Sequence, residues 1–261
     1  MTDHSNMHLG LRHRLTPAHL DPHTLKLADY MPPFTPPADW PGWSPAVVKT
    51  GEEWGEDGND MCGDCVFAAA AHAIMSMTAN AGQIIAPSAS FVIGCYSAVT
   101  GYVPGNPATD HGTLIDDMLA YWQVNGFAGH KILCSLAIDP ENRAEVLAGM
   151  YLFGDVLWGL SLPLAAQRMD VWDLNDFQRF MSQFNKELRP GSWGGHCVCS
   201  VTPGKCVTWG EDKSMTDAFT GTYATDCRAV VTPEWIKADS LAPSGFNVAQ
   251  LLADAAAMNG G

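Results

Sequence analysis

The chain has 261 residues, 47% of them hydrophobic and 16% charged, a globular balance with length enough for one large domain or two close-packed lobes. Its formal charge of −14, from 14 Lys and Arg against 28 Asp and Glu, argues against nucleic acid as a partner, because phosphate binding needs a basic surface. It argues against an anionic membrane surface for the same reason.

Residues 1–30 contain no apolar run fit for a signal-peptide core, and no stretch approaches the roughly 18 apolar residues of a membrane span. The expected location is therefore a reducing cytoplasm, unless the protein is released by lysis or carried inside a larger particle such as a virion. Residues 1–57 are rich in Pro, His and Trp, as in "YMPPFTPPADWPGWSP". Proline at that density forbids long helices and predicts an extended arm over the body, taken as residues 1–37. "CVFAAAAHAIMSMTA" has no Gly or Pro and predicts a helix from about residue 64 to 80, with Asp64 as N-cap. "SASFVIGCYSAVTGY" predicts a second helix capped by Ser88. "TLIDDMLAYWQVNG" carries a helical apolar stripe ended by Gly126, and "DPENRAEVLAGMYLFG" a helix closing on Gly154.

"DVLWGLSLP" reads as a strand, and residues 165–190 as a covering loop or short helix. His196 to Val201, a Pro-Gly turn and Lys205 to Trp209 form a predicted hairpin, followed by one or two strands in "TGTYATDCRAVVTPEW". "FNVAQLLADAAAMNGG" is a weak terminal helix, assigned to residues 236–261. Helices first and strands second give an α+β protein of two lobes. The lobes are expected at about 58–150 (helical) and 151–235 (β).

The chemistry is expected where "GNDMCGDCVFAAAAHAI" runs into the first long helix. A thiol on the first turn faces free backbone N–H groups and the positive end of the helix dipole, both of which favour thiolate. A thiolate nucleophile needs a proton donor for its leaving group. His196, between two glycines and a strand, is the candidate. The bland alternatives are a buried structural thiol at Cys65 and a satisfied strand-start histidine at 196. Asn59 is equally ordinary turn chemistry, Trp209 ordinary core, and His72 and His130 helix-face and loop residues.

Of the eight cysteines, Cys62 and Cys65 with Cys197, Cys199 and Cys206 could also form a zinc site, although zinc ligands usually come in paired knuckles. Cys62 and Cys65 could instead be a redox dithiol, or Cys62 a disulfide half with Cys95 or Cys134. The preferred reading assigns no metal and no cofactor.

The stretch "GNDMCGDCVFAAAAH" resembles the nucleophile region of papain-like cysteine peptidases, Gln-Gly-x-Cys-Gly-Ser-Cys-Trp-x-Phe, with Cys65 at the nucleophile position. "GGHCVCSV" resembles the family's histidine strand and "VTWG" its Asn-Ser-Trp-Gly segment. The order of softer matches covers about residues 38–235. "GND..GDC" and "GSWGGH" also resemble a group of papain-like proteins from bacteria and their phages.

The resemblance implies a papain-like two-lobed fold with an N-terminal helical lobe and a C-terminal antiparallel β lobe. It further implies a Cys65–His196 dyad that hydrolyses an amide or peptide bond. The oxyanion would be held by Cys65 N–H and by Asn59, which stands where the family has Gln. Val207 stands where the family's orienting Asn falls, so Thr208 or a backbone carbonyl would have to hold the histidine, and Trp209 could shield it. The implied partner is a peptide or protein substrate. The rival is an inactive papain-like scaffold that binds a host protein or serves in a phage particle.

Overall fold

The computed structural model describes residues 3–233 and 246–259. Its elements in chain order are α1 (Ser44–Thr50), α2 (Cys65–Asn80), α3 (Ala89–Thr100), α4 (Ile115–Asn125), β1 (Cys134–Ala137), α5 (Arg143–Phe153) and β2 (Val156–Leu162). There follow α6 (Asp176–Met181), β3 (Gly194–Thr202), β4 (Lys205–Thr208), β5 (Glu211–Ser214), α7 (Asp217–Tyr223), β6 (Ala224–Val231) and α8 (Val248–Asn259). The six strands make one antiparallel sheet in the order β1-β6-β2-β3-β4-β5. Among the described residues no helix is long and apolar enough to cross a membrane.

The sheet separates two cores, and β3 shows how. Successive strand residues point to opposite faces. Cys197, Cys199 and Val201 pack toward α2, whereas Val198 joins the core beneath α5 and α7. Helix α2 lies with the sheet on one side and α1, α3 and α4 around it, so nearly its whole circumference is buried. Its alanine run suits that place, since small side chains let the helix backbone approach its neighbours and Ala has the highest helix propensity. Phe67, fully buried among Tyr96, Tyr121 and Phe127, fills the gap beside it and contributes about 2 kcal/mol of apolar burial.

Ser88 caps α3 by accepting from Phe91 N–H at 3.3 Å, and Gly101, Gly126 and Gly154 end α3, α4 and α5 with positive φ. Asp64 stands at the N-cap position of α2 but makes no cap hydrogen bond with its side chain. Both its carboxylate oxygens are buried without a partner. Four elements go beyond the sequence reading. Helix α1 begins with Pro45 in its first turn, where proline is tolerated. Strands β1 and β5 are each four residues long, and α7 precedes β6 within the stretch read as strands. Residues 165–190 hold α6, with a capping box from Asn175 and Gln178. Residues 234–245, at the end of the last predicted strand and the start of the tail, lie outside the described residues.

The N-terminal arm is extended, as its prolines dictate, with single 3-10 turns at Ala18–Leu20 and Leu27–Asp29. Near residue 26 it pairs with the outer edge of β1, where Ala137 N–H donates to Leu25 O at 2.8 Å. That covers backbone groups an edge strand would otherwise expose. Further upstream it takes a less expected path, between the start of α2 and the start of β3.

Candidate active site

The turn before α2 depends on backbone freedom. Asp57 (φ 56) and Gly58 (φ 103) are left-handed in succession, and a β-carbon on Gly58 would stand 2.6 Å from Asp64 Oδ2. Met61 and Cys62 N–H then fold back onto the Gly58 carbonyl, and the chain enters α2 at Cys65. A residue at that position has no intrahelical acceptor for its N–H. Asn59, buried in the same turn, donates from Nδ2 to Cys62 O (3.2 Å) and to His8 O of the arm (2.9 Å). The amide is thus shared between its own turn and the carbonyl of an arm residue.

On the sheet side, His196 is 1% exposed. Its Nε2 lies 2.7 Å from Thr208 Oγ1, while Nδ1 is buried with no hydrogen-bond partner. Register explains why Thr208 holds the ring. Cys199 pairs directly with Val207, and paired residues share a face. His196, three residues from Cys199, is on the other face together with Thr208. Val207 packs toward α2. Trp209 stacks on the imidazole with ring centroids 4.7 Å apart and 21° between planes, and His4 of the arm stacks on the same indole at 4.6 Å. Cys197 N–H reaches Cys65 Sγ at 3.4 Å, so the sulfur lies against the peptide that follows His196.

The arm passes through this junction. Leu11 N–H donates to Gly195 O (3.0 Å), Arg12 N–H to Thr113 O (2.8 Å), and Thr113 N–H to Gly10 O (2.8 Å). The backbone N–H groups of Cys197, which donates to the sulfur, and of Gly10 and Leu11 nearby lower the Cys65 pKa. These favour thiolate, but burial outweighs them: Cys65 is 0% exposed and its thiol is pushed up to about 12. Burial likewise drives His196 down to about 3, with His4 and His72 adding in the same direction. The expected thiolate is absent from this closed arrangement, in which thiol and imidazole are both neutral at pH 7. Asp64 is raised well above the usual carboxylate range, mainly by burial and then by Asp57.

His196, Thr208 and Trp209 are thus grouped on one face of the β3–β4 hairpin, and Cys65 and Asn59 stand at the entry to α2 against the other face, where Cys197 N–H reaches the Cys65 sulfur. Of the zinc grouping, Cys62, Cys65, Cys197 and Cys199 lie in the core on the α2 side, whereas Cys206 faces the opposite core. Among the described residues no three of His, Cys, Asp or Glu are arranged to hold a metal ion. All eight cysteines are buried free thiols. Sequence reading missed His4, Gly10 and Leu11 on the arm, and the pair Tyr96 and Asp110 that braces the cleft. The one sequence signal for the arm residues was a glycine between two leucines in "HLGLRH".

No sequence family and no curated protein matches the chain. Solved structures do. Xylellain, a cysteine protease from Xylella fastidiosa, is 16% identical and superimposes with a TM-score of 0.56 over 89% of this chain and 98% of its own. Digestive procathepsin L 3 of the Tenebrio molitor larval midgut is 14% identical, with a TM-score of 0.50 over 87% of this chain and 77% of its own. The fold is that of the papain-like cysteine proteases.

Proposed function

We propose that this chain, built on the papain-like fold, is a thiol-dependent hydrolase that cleaves an amide or peptide bond with Cys65 as nucleophile and His196 as its base and acid. The single observation that carries the reading is the setting of His196. Thr208 engages Nε2 and leaves Nδ1 free, one residue before the N–H that meets the Cys65 sulfur. With Nε2–H donated to Thr208, Nδ1 carries the lone pair that accepts the thiol proton. As the sulfur–carbon bond forms, Cys65 N–H and Asn59 Nδ2 hold the developing oxyanion. The proton on His196 passes to the leaving nitrogen as the C–N bond breaks. Water then adds to the thioester, giving its proton to His196, and the C–S bond breaks to restore the thiol.

The neutral pair of the closed form fits this scheme once the arm leaves. Gly10 and Leu11 of the arm lie against Cys65, and His4 acts on His196, so on this reading withdrawal of the arm admits water and lowers the cost of charging both groups. The test is hydrolysis of a peptide and amide library by the full chain and by Gly10→Arg, in which the arm cannot seat. Turnover that Cys65→Ala and His196→Ala both abolish supports the assignment. Turnover that survives either substitution refutes it.

A second reading has one observation in its favour, the sealed thiol. On that reading the chain is a papain-like body kept for binding, as a host-protein ligand or a virion component. Iodoacetamide separates the two. Selective labelling of Cys65 in Gly10→Arg below about pH 7, under the range of a free thiol, belongs to the hydrolase. Slow uniform labelling of the cysteines belongs to the scaffold.

A further inference from the structure

The place where Gly10 crosses the cleft has the width of a bare backbone. A β-carbon on Gly10 would lie 1.6 Å from Gly63 O, 2.3 Å from Gly63 C and 2.5 Å from Gly63 Cα. These are main-chain atoms, so no rotamer change relieves the overlap. On the other side, a β-carbon on Gly112 (φ 64) would stand 2.0 Å from Gly10 O, and one on Gly63 would stand 2.9 Å from Gly10 Cα. Three glycines from distant parts of the chain lie in a row, and none of the three can carry a side chain.

The two walls are tied together. Gly63 N–H donates to Asp110 Oδ2 at 2.8 Å, Tyr96 Oη–H donates to Asp110 Oδ1, and Gly112 N–H donates to Tyr96 Oη at 2.9 Å. Tyr96 is fully buried, so spreading the walls means breaking hydrogen bonds that water cannot replace. Beyond the slot the cleft accepts ordinary extended chain. Main-chain bonds to Thr113 and Gly195 hold residues 10–12, and on the N-terminal side His8 N–H donates to Asn59 O at 3.3 Å. Leu9 packs over Gly194, and Leu11 is buried against Gly159.

We propose that the slot between Gly63 and Gly112 selects a glycyl residue in whatever peptide occupies this cleft. The substrate class is then an extended peptide with glycine between two aliphatic residues, in the register that the arm displays, with the glycine over Cys65. Tyr96 and Asp110 are positioning residues that set the width of the slot. The inference rests on reading this cleft as the substrate cleft. Its specificity element, however, is independent of whether Cys65 turns over.

The experiment uses the full chain carrying Gly10→Arg, with Gly10→Ala as the milder second variant and a melting curve to show that each folds. Synthetic His-Leu-Gly-Leu-Arg-His and its central-Ala counterpart are added in trans, and two quantities are read: peptide binding by fluorescence anisotropy and protection of Cys65 from iodoacetamide. The glycine peptide should bind and protect, and the alanine peptide should bind on the order of 10- to 100-fold more weakly, the range set by forcing a methyl group into a packed site. Tyr96→Phe and Asp110→Asn, added to the same background, should bring the two peptides within about 3-fold of each other. Equal binding of both peptides, or no binding of either to a folded variant, overturns the slot. A chain that binds the glycine peptide and hydrolyses nothing refutes the hydrolase and leaves the slot standing. A chain that cleaves glycine and alanine substrates at equal rates does the reverse.

Discussion

Trp209 holds φ 49 beside Gly210 at φ 78, a conformation that costs a residue with a β-carbon about 1–2 kcal/mol. Strain of this kind persists only where the surroundings fix it. Here the indole is clamped between His196 and His4 and edged by Trp172 and Trp193. The strained backbone aims an aromatic wall at the imidazole, and Thr208 immediately before it supplies the hydroxyl. Thr208→Val keeps the shape and deletes that hydroxyl, leaving His196 Nε2 buried and unpaired at about 1–3 kcal/mol. In the arm-displaced chain, kcat should fall on the order of 10- to 100-fold, since each 1.36 kcal/mol is tenfold. KM should be little changed, and Thr208→Ser should recover most of the loss. A Val variant with undiminished kcat would deny Thr208 its orienting role. The places of Cys65, His196 and Asn59 in the fold were legible in the sequence because short local patterns carry them: a helix start, a strand start and a Gly-Asn turn. For the ring's partner the sequence left Thr208 and a backbone carbonyl open, since Val207 stands at the motif's polar position; pairing register puts the Thr208 hydroxyl on the histidine's face.

At the scale of elements, the long amphipathic or alanine-rich helices and the central hairpin could be read directly, since periodicity and glycine stops mark them. Strands β1 and β5 could not. Four residues give too few alternations to see a period, and their state is set by neighbours β6 and β4. The arm was legible as extended from its prolines, but its path was not, because only the folded cleft creates the surface it crosses. Its upstream end has a titratable contact. His4 is buried against Trp209, with Glu211 at 3.2 Å and Lys213, Asp3 and His196 around it. Burial, then Lys213, lowers its pKa, while Glu211 raises it less. A lowered histidine is neutral when docked, so the docking it contributes is complete above the ordinary 6.5 and is lost as pH falls below that value. Hydrogen exchange at the amides of Leu11 and Arg12 should therefore show protection at pH 8 that declines toward pH 5, after correction for intrinsic rates. His4→Phe should flatten the decline. Equal protection at both pH values in the wild-type chain would remove His4 from the docking balance.

For the molecule as a whole, one buried cation joins the parts. Arg228 on β6 donates to Asp226 Oδ1 at 2.7 Å and to Asp116 Oδ1 on α4 at 2.8 Å, and Arg14 of the arm reaches the other oxygen of Asp116 at 2.8 Å. Sheet, helix and arm thus share one charge network, and in a chain of net charge −14 the loss of its buried arginine leaves carboxylates facing each other. Arg228→Met should destabilise the fold by about 3–5 kcal/mol, the cost of stranding a buried partner charge, measured by urea unfolding. A change under about 1 kcal/mol would mean that water already compensates Asp226. The arm held by this network is part of the same polypeptide, and that sets its strength as a competitor. A tethered segment acts at an effective concentration on the order of millimolar, which dilution of the protein does not reduce. A nanomolar preparation should be as fully occluded as a concentrated one, and an external peptide must outcompete that constant local excess before it meets the sulfur.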